Sequence, residues 1–255
     1  MRAWVRLGLA SAIAVLVVAA TGTPAHAAVR YFFRPGHPVF FGTPGNPDDN
    51  CTGGYAIRGS DGLFFLTSGF CGFGEVGATV YGTGEHYGTL AFNKYPMPDT
   101  ALIKPDADVD AYQMVVDPVT GASPGRVVGL FSENNLIGAP VGKMGRGTGW
   151  TEGTVYLSGT YGGMAAYCST ATTGSGDLGG PVWQSDGAGH VWAVGITIGV
   201  LDGTTNGCFY PIQRLLDAWG AWMPVFAFAG SPPAAHRGQA PPAAGGSQRE
   251  LDIQH

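Results

Sequence analysis

The chain has 255 residues, 43 of them glycine and 18 proline, with only 12% charged residues and a formal net charge of −5. Low charge with abundant glycine fits many short strands joined by tight turns and tells against a helical bundle, which would be rich in Glu, Lys and Arg. No basic stripe runs along the sequence, so nucleic acid is not an expected partner.

In chain order, residues 1–27 read as an export signal. Arg2 and Arg6 make a basic start, Leu7 to Ala20 is apolar apart from Gly8 and Ser11, and Ala25-His26-Ala27 gives a small-x-small cleavage pattern. The apolar run falls short of the roughly 20 residues a membrane span needs. The expected mature protein begins near Ala28, is secreted to the extracellular side and does not span a membrane. Residues 28–50, with Arg34-Pro35-Gly36-His37-Pro38, read as a short leader segment too small to fold alone.

From Cys51 strand signals begin. Tyr55-Ala56-Ile57, the turn Gly59-Ser60-Asp61-Gly62 and Leu63-Phe64-Phe65-Leu66-Thr67 predict a β-hairpin. Further strands are predicted at 76–81, 87–92, 100–104, 126–131, 139–144, 152–158, 180–184, 190–198 and 208–210, with Gly, Pro, Asn or Asp in most gaps. Many short strands without intervening helices indicate an all-β barrel or sandwich. One helix is predicted from Ile212 to about Trp222, because Ile212, Leu215, Leu216 and Trp219 share a face. Residues 229–255, rich in Pro, Ala and Gly, carry too little apolar surface to fold and read as a disordered tail. The folded domain is thus expected to span 51–228.

Four cysteines, Cys51, Cys71, Cys168 and Cys208, suggest two disulfides in an exported chain. Three pairings are possible; the local one, Cys51 with Cys71 and Cys168 with Cys208, is expected, each bond contributing about 3 kcal/mol. No CxxC pair and no histidine at ligand spacing accompany them, so no metal is expected. No cofactor is implied.

Three runs, in order, carry a family resemblance: Leu66-Thr67-Ser68-Gly69-Phe70-Cys71-Gly72, Asp99-Thr100-Ala101-Leu102-Ile103, and Gly176-Asp177-Leu178-Gly179-Gly180-Pro181-Val182. They resemble the His, Asp and Ser segments of the chymotrypsin-like serine proteases. Within that family they are most similar to the secreted bacterial streptogrisins. The Cys51–Cys71 spacing, the stretch Val141 to Val155 and the run Phe209-Tyr210-Pro211 before the helix extend the likeness over residues 50–223. The resemblance implies two packed six-stranded antiparallel β-barrels with a C-terminal helix.

It also implies where the catalytic groups would stand. Phe70 occupies the base position and Leu178 the nucleophile position; Asp99 alone is retained. Leucine has no hydroxyl and phenylalanine no titratable nitrogen. Losing either group costs a serine hydrolase roughly a million-fold in turnover. Thr197-Ile198-Gly199 resembles the substrate-binding strand, with Ile198 where a serine usually supports the aspartate. Phe70, Leu178 and Ile198 are therefore expected to form one apolar cluster. The amides of Gly69 and Phe70 are expected to hold Asp99, its pKa raised by burial. Lys143 is the expected partner of Asp177, and the amides of Gly176 and Leu178 could form an oxyanion-like hole. Ser175, a loop residue beside glycine, and the histidines His86 and His190 lie outside the positions of the family's catalytic groups.

The expected function is that of a secreted, catalytically inactive protease homologue, a monomer that binds a peptide or protein ligand through Gly176, Asp177, Leu178, Thr197, Ile198 and Gly199. Two alternatives accompany it: an active endopeptidase with a rearranged catalytic set, and a structural extracellular scaffold.

Overall fold

The computed structural model describes residues 30–42, 50–72, 75–227 and 249–255. The export-signal reading of residues 1–27, and residues 229–248 of the tail, lie outside the described residues. The strands in chain order are β1 (Tyr31–Phe33), β2 (Pro38–Phe41), β3 (Asn50–Thr52), β4 (Ala56–Gly59), β5 (Gly62–Thr67), β6 (Thr79–Tyr81), β7 (His86–Asn93), β8 (Ala101–Pro105), β9 (Val109–Ala111), β10 (Met114–Val115), β11 (Gly125–Leu130), β12 (Pro140–Gly145), β13 (Gly149–Tyr161), β14 (Met164–Thr172), β15 (Pro181–Ser185), β16 (His190–Leu201), β17 (Asn206–Pro211) and β18 (Ile253–Gln254). The α-helix α1 spans Ile212–Trp219, between β17 and β18.

The first sheet runs β3-β2-β6-β7-β8-β5-β4. Its two edges, β3 and β4, are consecutive in the chain and separated only by Gly53-Gly54-Tyr55. They act as one bent run that pairs with β2 at its start and β5 at its end, which closes a six-stranded ring. Two contacts tighten the bend: the Gly54 N–H donates to the Leu66 carbonyl at 2.7 Å, and the Thr67 hydroxyl donates to the Thr52 carbonyl at 3.0 Å. The Cys51–Cys71 disulfide ties β3 to the turn that follows β5.

The second ring is β16-β15-β12-β13-β14-β17, closed by the β16–β17 pairing. The Cys168–Cys208 disulfide links paired residues on β14 and β17. Gly142 stands opposite Glu152 in the β12–β13 register, and a Cβ on Gly142 would meet the Trp183 indole at 2.7 Å. A glycine there lets the buried Trp183 lie flat across the strand. Strands β10 and β11 extend from this ring, with β11 parallel to β16, and β1 pairs in parallel with β9. These parallel pairs stand outside the antiparallel rings.

Phe33, Val39, Phe65, Tyr87, Leu90 and Ile103 form an apolar cluster in the first barrel, and Val141, Val155, Val182, Val194 and Phe209 one in the second. A further cluster draws on both barrels and reaches the helix, with Tyr55, Leu66 and Leu102 from the first and Trp183, Ile196, Ile198 and Tyr210 from the second beside Leu215. Full burial of such side chains contributes about 1.5–3 kcal/mol each. Helix α1 buries Ile212, Leu215 and Leu216 and stops at Gly220, whose φ of +58° is the left-handed cap that glycine adopts without strain. It therefore ends before Trp222, which bridges back to Arg58 at the edge of the first barrel.

Two expected boundaries are corrected. Residues 28–50 do not form a separate leader: β2 is buried and pairs with both β3 and β6 inside the first barrel. The sequence 229–255 is not disordered throughout: residues 249–255 pack against the second barrel through β18, because Leu251 and Ile253 alternate with polar residues and enter the core.

Candidate active site

The carboxylate of Asp99 lies just before β8 and is fully buried. The Ser68 hydroxyl donates to its two oxygens at 2.9 and 3.0 Å, and the Phe70 N–H donates to Oδ1 at 2.7 Å. Burial raises the Asp99 pKa, while His255, the amides of Phe70 and Gly69 and the Ser68 hydroxyl pull it back. Ser68 is the residue that sequence reasoning missed. Its signal was available: it sits beside the Gly69-Phe70 pair and is a short hydroxyl side chain two residues before Phe70. With Ile198 offering no hydroxyl, Ser68 keeps the buried carboxylate satisfied.

Phe70 follows the tight turn after β5 and packs against the first-barrel cluster, which includes the buried Leu178 and the Cys51–Cys71 pair. Ile198, by contrast, belongs to the cluster that draws on both barrels, with Leu66 and Leu102 among its members. The expected three-residue apolar cluster is therefore two residues in one cluster and one in another. Ile198 sits on β16 between Thr197 and the bulge at Gly199.

The loop Gly174–Gly180 joins β14 to β15 and is held from below by Asp177. This fully buried carboxylate pairs with Lys143 of β12, itself buried. It also accepts the amides of Gly147 at 2.8 Å, Thr148 at 3.0 Å and Gly174 at 3.0 Å, and the Thr148 hydroxyl at 2.6 Å. Burial lowers the Lys143 pKa, and Asp177 raises it in return. Five donors on one carboxylate satisfy a group that would otherwise be costly to bury. Two further contacts fasten the loop to β3: the Thr52 hydroxyl donates to the Gly176 carbonyl at 2.7 Å, and the Thr52 N–H to that of Leu178 at 2.9 Å. Gly176 has φ of +88°, and a Cβ on it would approach Asn50 Oδ1 at 2.7 Å. The loop conformation thus requires glycine there. Ser175 is exposed on the rim of this loop.

Thr197, Ile198 and Gly199 continue β16 past the point where β15 leaves it. The Gly179 N–H donates to the Thr197 carbonyl and the Thr197 N–H to the Gly180 carbonyl, each at 2.8 Å. The Thr197 hydroxyl is buried with no hydrogen-bond partner among the described residues. The two histidines set aside in the sequence lie elsewhere. His86 pairs with Asp106 on the first barrel, and His190 with Asp186 at 2.7 Å on the second.

An imidazole does reach Asp99, from a residue outside every motif. His255 stacks on Phe70 with ring centroids 4.5 Å apart and planes 5° from parallel. Its Nδ1 lies 3.4 Å from Asp99 Oδ2, and its Nε2 lies 2.9 Å from the Tyr161 hydroxyl. Burial raises the Tyr161 pKa, with Asp99 adding to the shift, which makes that phenol a poor nucleophile. Among the described residues, no group of three or more His, Cys, Asp or Glu could hold a metal ion, and no helix is long and apolar enough to cross a membrane.

With two barrels, a buried acid before β8 and the Asp177-anchored loop in place, relatives can be compared. No family model matches the chain. Over 184 residues, 69% of this chain, it is 29% identical to streptogrisin-C from Streptomyces griseus, and it spans 38% of that protein's length. It superposes on Cellulomonas bogoriensis chymotrypsin with a TM-score of 0.59 at 27% identity, over 77% of this chain and all of that one. On Thermobifida fusca protease A the TM-score is 0.61 at 24% identity, over 76% and 100% of the two chains. The chain is similar in sequence and fold to the bacterial chymotrypsin-like serine proteases. The fold expected from the sequence is the fold observed, with both disulfides paired as expected.

Proposed function

We propose that this chain is a secreted, catalytically inactive homologue of the chymotrypsin-like proteases that binds an extended peptide or protein segment in the former catalytic cleft. The observation that carries the reading is the chemistry around Asp99. The two side chains at the base and nucleophile positions, Phe70 and Leu178, share one apolar core cluster, while the acid and the Asp177–Lys143 anchor keep full sets of donors. The groups that shape the cleft are present; those that would react are hydrocarbon. Attack on a peptide carbonyl needs an oxygen or sulfur nucleophile and a base within reach of it. Secretion is supported by the export-signal pattern and by two closed disulfides.

A second reading rests on one contact. His255 returns an imidazole to Asp99, which favours an enzyme with a rearranged catalytic set. The hydroxyl in contact with that imidazole belongs to Tyr161, whose raised pKa works against attack, so the inactive reading stands first.

Incubation of the purified chain with casein and with a fluorophosphonate probe tests both. No cleavage above a buffer control and no covalent labelling are expected. Labelling abolished by His255→Ala would establish the second reading instead.

A further inference from the structure

Strand β16 has two edges beyond Ile196. One pairs with β17 as far as Val200; the other is held at Thr197 by Gly179 and Gly180 and is released beyond it. A released edge beside a cleft is a template for an added strand. In this chain residues 249–255 take that place. Gln254 pairs with Val200 and Ile253 with Leu201, and the Asp202 N–H donates to the Asp252 carbonyl at 2.9 Å. Upstream, the Leu251 N–H donates to the Thr160 carbonyl at 2.7 Å, and the Thr160 N–H donates to the Arg249 carbonyl at 3.0 Å. The Glu250 carboxylate accepts the Thr160 hydroxyl at 2.6 Å and the Gly162 N–H at 2.9 Å.

The barrel is shaped for this strand. A Cβ on Gly159 would stand 2.8 Å from the Leu251 side chain and against the Arg249 carbonyl. A Cβ on Gly199 would stand 2.6 Å from Ile253 Cγ2 and against the Gln254 carbonyl. Two glycines on two different strands thus open the channel for one backbone. Leu251 and Ile253 are anchors, 3% and 7% exposed. His255 is the third: its side chain is only 14% exposed, sandwiched on Phe70 and bonded to Tyr161, with Asp99 at its Nδ1.

We propose that the β16 edge is a peptide groove with an imidazole subsite made by Phe70, Asp99 and Tyr161, that it takes extended peptides of the pattern apolar-x-apolar-x-His, and that Leu251–His255 fills it in cis. This rests on the peptide-binding reading and deepens it. An external peptide of this class enters only when the cis segment leaves. The phenyl face at Phe70, useless to a protease, becomes the stacking platform of the subsite.

The test uses the full chain and a fluorescein-labelled peptide with the sequence of residues 249–255. In the intact protein, the amides of Thr160 and Asp202 are expected to be protected from hydrogen exchange and the peptide to bind weakly. In a full-chain variant carrying Leu251→Asp and Ile253→Asp, those amides lose protection and the peptide binds at least about tenfold tighter. A peptide with Ala in place of the histidine binds that variant about tenfold more weakly than the parent peptide. Should the double variant fail to keep the near-UV circular dichroism of the parent, His255→Ala in the full chain is the readout, with faster exchange at Asp202 expected. Rapid exchange at Thr160 and Asp202 in the intact chain overturns the proposal. So does failure of the peptide to bind a folded, released variant, and so does a dimer in sedimentation in which a second copy donates the segment. Covalent labelling by the fluorophosphonate overturns the inactive reading alone and leaves the groove standing.

Discussion

At the scale of single residues, Asp99 and Ser68 depend on each other. A buried carboxylate is tolerated only with donors around it, and the Ser68 hydroxyl contacts both its oxygens. Ser68→Ala leaves that charge short of a donor and is expected to cost about 2 kcal/mol in urea unfolding. The pH dependence follows from the direction of the Asp99 shift. Burial places the folded pKa above the unfolded one, so the folded state holds the proton more tightly. That contribution to stability is fully present below the unfolded pKa and is lost as pH rises through the folded pKa. Asp99→Asn, which keeps an oxygen for the Phe70 amide, is expected to flatten the decline in Tm as pH rises above the ordinary carboxylate pKa of about 4. An unchanged slope would mean that another group sets it. The shared apolar packing of Phe70 and Leu178 was legible in the sequence because both are hydrocarbon side chains in short local motifs. Ser68's role was not, since it exists only where two segments distant in sequence meet.

Among elements, the loop before β15 is governed by a carboxylate beneath it. Lys143 was legible as the partner of Asp177 from the resemblance alone, whereas of the four further donors the three from Gly147 and Thr148 depend on how the β12–β13 turn folds under the loop, and the Gly174 amide on the turn of the loop itself. Lys143→Met removes the countercharge from a buried acid and is expected to destabilise the chain by about 3 kcal/mol, softened from larger values by those donors. Adding Asp177→Asn to Lys143→Met is expected to recover most of the loss, and a double-mutant cycle in denaturant measures it. Strand β14 escaped the sequence reading because its residues, Met164 to Thr172, alternate weakly; its identity is fixed by partners on β13 and β17. Strand β18 escaped for another reason. Its alternation of Leu251 and Ile253 is a proper period-two signal, but it lies at the end of a Pro/Ala/Gly-rich run whose composition argues for disorder.

For the whole molecule, Asp99 is where the first barrel, the second and the segment 249–255 come together: Ser68 and Phe70 follow β5, Tyr161 ends β13, and His255 touches Asp99, Phe70 and Tyr161. If the former catalytic cleft retains the shape of its relatives, reactive groups can be returned to it. Phe70→His with Leu178→Ser is expected to give measurable fluorophosphonate labelling, weak in the full chain and about tenfold stronger when Leu251→Asp and Ile253→Asp free the β16 edge. No labelling in either background, with the protein folded, would show that the cleft geometry itself has drifted. Many short strands, the β4–β5 hairpin and helix α1 were readable from turn residues and periodicity, while the two-barrel arrangement came only from the resemblance carried by the motifs. The bent β3–β4 run that closes the first ring was not, because its closure depends on contacts made by Gly54 and Thr67 across the barrel rather than on any local pattern.

The contact between Asp99 and His255 joins residues far apart in the chain, and this sets an order in time. During synthesis, both barrels can complete their pairing before residues 249–255 are available, because none of the ring strands comes from that segment. Long-range contacts of this kind form late. A newly folded molecule therefore passes through an interval in which the acid has only Ser68 and the backbone for company and the β16 edge is open. A partner that meets the molecule in that interval finds the edge without having to displace residues 249–255, whose tether otherwise gives them a high effective concentration there.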